Sequence, residues 1–290
     1  MAYKVDNAVI MAAGTSSRFA PLSYEYPKAL IRVKGEVLIE RQIRQLREAG
    51  ISKIILVVGY MKECFHYLKE KFGVQIVEND SFLSRNNNGS IYAAKDYIRN
   101  TYICSADNYF SQNPFESVVE DSYYAAVYAD GQTQEWCMQE DNAGYICDVQ
   151  IGGSNAWYML GHVFWSEDFS RRFLEILEGI YDLPETADKL WEKIFMEHLD
   201  VLKMKIRKYP QEYIFEFDTL DELRDFDTTY IDDTRSGILK KIAGLLGCRE
   251  RDIQNVKSFK DGTNAAAGAS FSVNGKNYRY HYETSQLMEV

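Results

Sequence analysis

MAAGTSSRFAPLSYEYPKAL, residues 11–30, ends an apolar run in a cluster of small residues and then places two cations ten positions apart. A buried strand leads into Ala12, Ala13, Gly14 and Thr15, followed by a small polar turn that carries Arg18 and, later, Pro27-Lys28. Small side chains let a backbone come close to a triphosphate, so that successive N–H groups form an anion-binding nest. Arg18 and Lys28 would then supply positive charge where a departing pyrophosphate develops its negative charge. Two other phosphate loops are excluded by spacing, because the sequence has neither Gly-x-x-x-x-Gly-Lys-Ser/Thr nor a helix-opening Gly-x-Gly-x-x-Gly. The plainer alternative is a strand-to-helix turn with two surface cations.

Outward from this loop, residues 8–106 alternate short apolar runs (AVIMAA, IILVV, QIVE, TYICSAD) with helical stretches near 37–49, 62–72 and 90–98. Strands separated by helices imply right-handed crossovers, and the expected fold is α/β with a doubly wound, mixed but mostly parallel sheet. Ligands bind such sheets beyond the carboxyl ends of the strands, which puts the segments after Met11, Val58 and Ala106 at the site. Between Tyr123 and Phe164 four closely spaced strand segments (YYAAVYA, EWCMQ, YICDVQI, AWYMLGHVFW) point to a small antiparallel excursion. Helices are expected near 167–180 and 184–197 and strands near 201–207 and at YIFEFD, where alternation would put Glu216 and Asp218 on one face. In the helix TLDELRDFD, Thr219 is the expected N-cap, with Glu222 three residues on. Composition changes near Asp232, which divides the chain into residues 1–231 and a C-terminal α+β appendage, residues 232–290, with a helix at SGILKKIAGLLG, a KDGTNAAAG segment and an Asn274-Gly275 hairpin turn.

With 290 residues, 46% of them hydrophobic, the chain can bury a large core. Its formal net charge of -10 speaks against nucleic acid, which is bound by clustered Lys and Arg. No apolar stretch suits membrane insertion and the amino terminus lacks a signal-peptide pattern, so a cytoplasmic location is expected. The five cysteines are scattered without metal-ligand spacing and read as reduced, mostly buried thiols. Asp107, after the apolar YICSA, would sit at the carboxyl end of a central strand. Aromatic residues are plentiful, and their ring faces can hold a quaternary ammonium group, each contact contributing about 0.5–2 kcal/mol, although an aromatic stripe is as readily core packing.

These segments together resemble the sugar-phosphate nucleotidyltransferase superfamily, with its Ala-Ala-Gly-x-Gly-Ser/Thr-Arg, Pro-Leu and Pro-Lys signature. Within it, the sequence is similar to bacterial CTP:phosphocholine cytidylyltransferases over about residues 6–230, through PKAL, VGY, SADNY, EWC, GHVFW and FEFDTLDEL. One departure is plain: Ser16 stands where the superfamily loop has its second glycine. The resemblance implies Asp107 and Asp218 as ligands of Mg²⁺, with Arg18, Lys28 and Asp107 as the catalytic set. It implies a nucleotide pocket from Ala12, Ala13, Gly14, Thr15, Gly59, Tyr60, Asn88 and Ser90. The acceptor would meet Tyr109, Trp136, Trp165 and Glu216, with Trp157 nearby and Glu216 as a second metal ligand or a counter-charge. A phosphate monoester loses its second proton near pH 6, so the attacking group needs no general base. The small-molecule substrates would be CTP and phosphocholine, although nothing in the residues alone separates cytosine from uracil. Transfer to 2-aminoethylphosphonate, phosphoethanolamine or a sugar 1-phosphate are the rival activities, and a nucleotide-sensing module without turnover is the non-enzymatic rival. Residues 236–283 also resemble, more weakly, the start of choline kinase-like phosphotransferases but stop short of a His-x-Asp loop. A vestige, a fusion to a kinase domain, and a docking or homodimer-forming extension are the corresponding expectations.

Overall fold

The computed structural model describes residues 2–260 and 266–290. Its contacts divide the chain into two compact units, Met1–Gly14 with Leu38–Glu216, and Thr15–Val37 with Phe217–Val290.

In the first unit, apolar runs form β1 (Asn7–Ala12), β2 (Ile54–Val58), β3 (Gln75–Glu78) and β4 (Thr101–Ser105). The helical stretches between them become α1 (Leu38–Glu48), α2 (Tyr67–Phe72) and α3 (Asn88–Ala93). Two long strands, β5 (Tyr123–Glu140) and β6 (Ile146–Trp165), then precede α4 (Glu167–Ile180), α5 (Trp191–Met196) and β7 (Lys205–Tyr209). All seven strands make one sheet in the order β7-β5-β6-β4-β1-β2-β3. β4, β1, β2 and β3 are mutually parallel, whereas β6 runs antiparallel to both β4 and β5. The mixed, mostly parallel α/β expectation therefore holds. β2 is buried along its whole length, as expected of a strand covered on both faces.

The four short antiparallel strands expected from the sequence are instead one bent hairpin. Register shifts near Ala129/Gln132 and Thr133/Trp136 curve β5 and β6 without ending their ladder, which is how bulges turn a strand while pairing persists. The helix expected over 184–197 is a 3₁₀ turn, Pro184–Thr186, followed by the short α5. Leu190 between them is extended, and the Trp191 N–H goes to Asn87 Oδ1 at 2.7 Å.

In the second unit, residues 15–30 pass through a 3₁₀ turn (Ser17–Phe19), one helical turn (Leu22–Glu25) and a second 3₁₀ turn (Lys28–Leu30). α6 (Leu220–Phe226) begins with the expected capping box, in which Thr219 Oγ1 accepts the Glu222 N–H and the Glu222 carboxylate accepts the Thr219 N–H. α7 (Gly237–Leu246) is capped by Ser236 and stopped by Gly247 at φ 63. The strands β8 (Gln254–Lys260), β9 (Ala266–Val273), β10 (Lys276–His281) and β11 (Leu287–Glu289) form an antiparallel sheet in sequence order. Asn274 and Gly275 both have positive φ, 50 and 79, and close the expected hairpin between β9 and β10. The DGTN residues of the KDGTNAAAG segment lie outside the described residues. Arg224 fastens α6 to the following segment by donating to the carbonyls of Tyr230, Glu250 and Ile253.

YIFEFD is a correction. Only Ile214–Phe215 is strand, paired with Tyr109–Phe110, so Glu216 and Asp218 do not share the face of one strand. The capping box draws the chain out of the ladder, with Glu222 Oε2 accepting the N–H groups of Asp218 and Thr219 at 2.6 and 3.0 Å.

Among the described residues no helix is long and apolar enough to cross a membrane. Only Cys104 and Cys137 of the five cysteines are buried, and Cys147 is exposed, so the thiols are less enclosed than expected.

Candidate functional site

The carboxyl ends of β1, β2 and β4 are tied together by backbone. The Ala106 N–H donates to the Met11 carbonyl at 3.1 Å, the Tyr60 N–H to Ala13 at 3.0 Å, and the Asn79 N–H to Val58 at 2.8 Å. Ala12 and Ala13 thus lie beside the Gly59-Tyr60 turn, as expected of one ligand edge, and Asp107 follows β4 in a half-buried turn. Gly59 has a packing reason of its own, since a Cβ there would come within 2.7 Å of the Phe82 ring.

Asn88 and Ser90, expected in the nucleotide pocket, are interior residues whose side chains bond within the protein. Asn88 is fully buried and donates through Nδ2 to the Thr186 carbonyl at 2.9 Å, while Ser90 Oγ accepts from Asn79 at 3.1 Å. Both therefore brace α3. Trp165 is likewise corrected from acceptor contact to core: it is fully buried, with Phe173 at 4.6 Å and Trp191 at 5.1 Å between centroids.

Other acceptor candidates lie nearer the surface. Glu216 is exposed and accepts from Asn108 Nδ2 at 3.3 Å, and Tyr109 has the Arg41 guanidinium 4.8 Å from its ring. Trp136 and Trp157 are partly buried against the core. Tyr158, which sequence reasoning passed over, has its phenol pushed up by burial and further by the Glu135 and Glu216 carboxylates. It pairs with Val127 and Cys137 across the hairpin. The available signal was alternation, since Tyr158 must point to the face opposite Trp157, and size had drawn attention to the tryptophan. Tyr124, also missed, is pushed well up by burial, with Glu192 and Glu216 adding to the shift. Histidine chemistry has no setting at His162, which is fully buried and held neutral, its pKa pulled down to about 3 by burial.

In the second unit the loop cations meet a carboxylate. Arg18 Nη1 lies 2.5 Å from Asp218 Oδ2 and Lys28 Nζ lies 3.8 Å from Asp218 Oδ1. Arg18 is largely exposed, whereas Lys28 keeps only 3% of its side chain accessible and has the Phe19 ring 5.7 Å away. Thr15 is half-buried, and Ser16 adopts the left-handed conformation, φ 48 and ψ 45, that the superfamily's glycine would take without a steric cost. Ser23 Oγ donates to the Ser16 carbonyl at 2.8 Å and holds this turn.

Asp107 belongs to the first unit and Asp218 to the second. Among the described residues no three His, Cys, Asp or Glu side chains form a ready-made cation site. Mg²⁺ takes one or two carboxylates and completes its shell with water and substrate phosphate oxygens, and each of these aspartates is a hard oxygen donor of that kind.

A mostly parallel sheet whose strand ends carry a small-residue loop, with cations on the loop's continuation, is the setting in which α/β proteins receive nucleotides. Residues 8–178 match the MobA-like NTP transferase domain, and the chain belongs to that family. It is similar to the choline-phosphate cytidylyltransferase of Streptococcus pneumoniae, at 33% identity over 76% of this chain and 96% of that protein. A 2-aminoethylphosphonate cytidylyltransferase from Lancefieldella rimae is 36% identical over 78% of this chain and 93% of its own length. Among solved structures, CTP:phosphocholine cytidylyltransferase from Streptococcus pneumoniae superimposes with a TM-score of 0.74 at 32% identity, covering 78% of this chain and 99% of that one. The chain is a nucleotidyltransferase.

Proposed function

We propose that this nucleotidyltransferase joins the α-phosphate of CTP to phosphocholine and releases pyrophosphate, with Mg²⁺ as cofactor. The observation that carries the reading is Lys28, a cation almost wholly withdrawn from water on the signature loop and held beside Asp218 and Arg18. Two cations gathered on one phosphate loop favour a reaction in which charge accumulates on a leaving pyrophosphate. The acceptor phosphate, already ionised at neutral pH, attacks in line, so the residues have to align the substrates and neutralise charge. Asp107 and Asp218 would hold Mg²⁺, which would withdraw electron density from the phosphates it touches. Ala12, Ala13 and the Gly59-Tyr60 turn would receive the nucleotide. For the acceptor, Glu135 and Glu216 set near Tyr158 offer negative charge beside an aromatic ring, and Trp136 is the candidate for a second ring face.

The same two carboxylates favour a second reading, because a primary ammonium group can donate hydrogen bonds to them. Transfer to 2-aminoethylphosphonate therefore stays beside phosphocholine, supported by the relative at 36% identity. Residues 1–231 would carry the transfer in the cytoplasm, with 232–290 as an appendage whose likeness to the start of a choline kinase is a further proposal. Pyrophosphate release measured over four nucleoside triphosphates and a panel of phosphorylated acceptors tests this. The highest kcat/KM is expected for CTP with phosphocholine. A clear preference for glucose 1-phosphate or for the aminophosphonate refutes the acceptor assignment, and a preference for UTP refutes the nucleotide assignment.

A further inference from the structure

The signature loop groups by its contacts with the C-terminal segment, in the unit formed by Thr15–Val37 and Phe217–Val290. Five contacts with residues 232–290 contribute to this. Ser258 Oγ, on β8, donates to the Ser17 carbonyl at 2.6 Å, immediately before Arg18. The Glu25 carboxylate sits at the N-terminus of α7, where Oε1 accepts the Ile238 N–H at 3.1 Å and Oε2 accepts from the Ser236 hydroxyl. An anionic side chain there completes a helix end whose first N–H groups lack partners. The Tyr24 ring stacks on Tyr282 with centroids 4.6 Å apart, and Arg235 donates to the Arg32 carbonyl at 3.0 Å.

These bonds bracket the loop. Ser16 is held in a strained left-handed conformation by Ser23 from within the loop, and the next carbonyl is held by Ser258 from the appendage. Arg18 follows directly, so its backbone starts from an anchored peptide. Lys28 lies three residues beyond Glu25, which is fixed at the end of α7. A loop whose cations must meet a developing charge loses rate when its geometry is loose, because alignment is part of the catalysis. The alignment with the 33%-identical relative covers 96% of that protein and leaves about a quarter of this chain outside it.

We infer that residues 232–290 act as a brace that sets the phosphate loop for catalysis, with two positioning residues: Ser258, which works through the backbone of Ser17 and Arg18, and Glu25, which anchors to α7 the segment leading to Lys28. This rests on the nucleotidyltransferase reading. A merely structural appendage would share the contacts, but their loss would then lower stability without selecting a kinetic constant.

The test uses the full chain with Ser258→Ala, Ser258→Thr and Glu25→Gln, and Lys276→Ala as a control that removes an exposed appendage ion pair with Glu289. Readouts are pyrophosphate release, KM for each substrate, thermal unfolding, and amide hydrogen exchange of residues 15–26. Losing one hydrogen bond at the loop should lower kcat about fivefold. Ser258→Ala should also speed exchange in residues 15–19 while leaving acceptor KM and the melting temperature unchanged. Ser258→Thr should restore both kcat and exchange, Glu25→Gln should act in the same direction, and Lys276→Ala should behave as wild type. Folded Ser258→Ala and Glu25→Gln proteins with wild-type kcat and exchange overturn the brace. If one variant unfolds, the other decides by the same criteria. A wild type without pyrophosphate release on any substrate pair defeats the transferase reading, and the exchange data still decide whether the appendage holds the loop.

Discussion

Glu192 should make the stability of this protein fall as pH rises toward 7. It lies in the first turn of α5 and accepts from Asn87 Nδ2 at 3.0 Å and from the Tyr124 hydroxyl at 3.4 Å. Burial pushes its carboxyl up to about 7 from an ordinary 4.5, against the smaller opposing pull of the Asn87 and Tyr124 hydrogen bonds. A folded-state pKa above the unfolded one means that the native protein holds the proton more tightly. The associated stability is then fully present below about pH 4.5 and is lost as pH climbs through 7. A rise from 4.5 to about 7 corresponds to at most about 3 kcal/mol. Glu192→Gln keeps one carbonyl oxygen, enough for the bond from Asn87 Nδ2 or the longer one from the Tyr124 hydroxyl but not for both, and cannot ionise. The difference between its unfolding free energy and that of the wild type should shift in favour of the variant by about 1–3 kcal/mol between pH 5 and pH 8. Urea titrations of both proteins at pH 5, 6, 7 and 8 measure the difference directly, and common titrations elsewhere cancel in the comparison. Parallel stability profiles would show that Glu192 ionises as freely in the fold as outside it. Asn87 also accepts the Trp191 N–H and immediately precedes α3, so ionisation at alkaline pH should loosen the segment that braces Asn88.

Ser16→Gly should stabilise the chain by about 0.5–1 kcal/mol, since a left-handed L-residue costs about 1–2 kcal/mol and glycine's extra chain entropy offsets part of that. Chemical denaturation checks it, and a destabilised variant would mean that the serine contributes a bond the turn needs. Lys28→Ala should lower kcat about 10²- to 10³-fold with little change in acceptor KM, as expected for a charge needed most when pyrophosphate departs. A variant retaining near-wild-type kcat would remove Lys28 from the chemistry. Trp136→Ala should raise KM for phosphocholine roughly 5- to 30-fold and leave KM for CTP unchanged, with Trp136→Phe losing less. Because Trp136 also packs against the core, melting temperature is measured alongside, and unaltered substrate constants in a less stable variant would confine it to packing.

Periodicity made the parallel part of the sheet legible, because β1, β2 and β4 are short apolar runs closed by small or turn residues. Thr219 with Glu222, and Asn274 with Gly275, were legible for a similar reason: each is a local device whose residues satisfy backbone groups a few positions away. The hairpin of β5 and β6 was not, since bulges curve a strand without interrupting its ladder, and the sequence marks only the interruption of alternation. Trp165 misled because size and family position cannot distinguish a ring packed on Phe173 from one facing a ligand. Asn88's bond to the Thr186 carbonyl was not legible, because a polar side chain bonded to a buried carbonyl has the same composition signal as one facing a ligand.

The run Phe215-Glu216-Phe217-Asp218 shows why chain neighbours need not share a task. Strand pairing with Tyr109 ends at Phe215, Glu216 receives a bond from Asn108, and Asp218 is turned by the capping box toward Arg18 and Lys28. Alternation along a strand would have placed both carboxylates together, but it operates only while the ladder continues. A four-residue capping motif is a stronger local constraint than one further cross-strand pair, because it satisfies two backbone N–H groups at a helix start. The consequence is a division of charge. Glu216 stays with Asn108, and Asp218 joins Arg18 and Lys28. The loop carrying those cations, from Thr15 to Val37, groups by contact with residues more than two hundred positions away. That proximity follows from Ser258, Glu25 and Tyr282 meeting their partners, and no local pattern in the loop announces it.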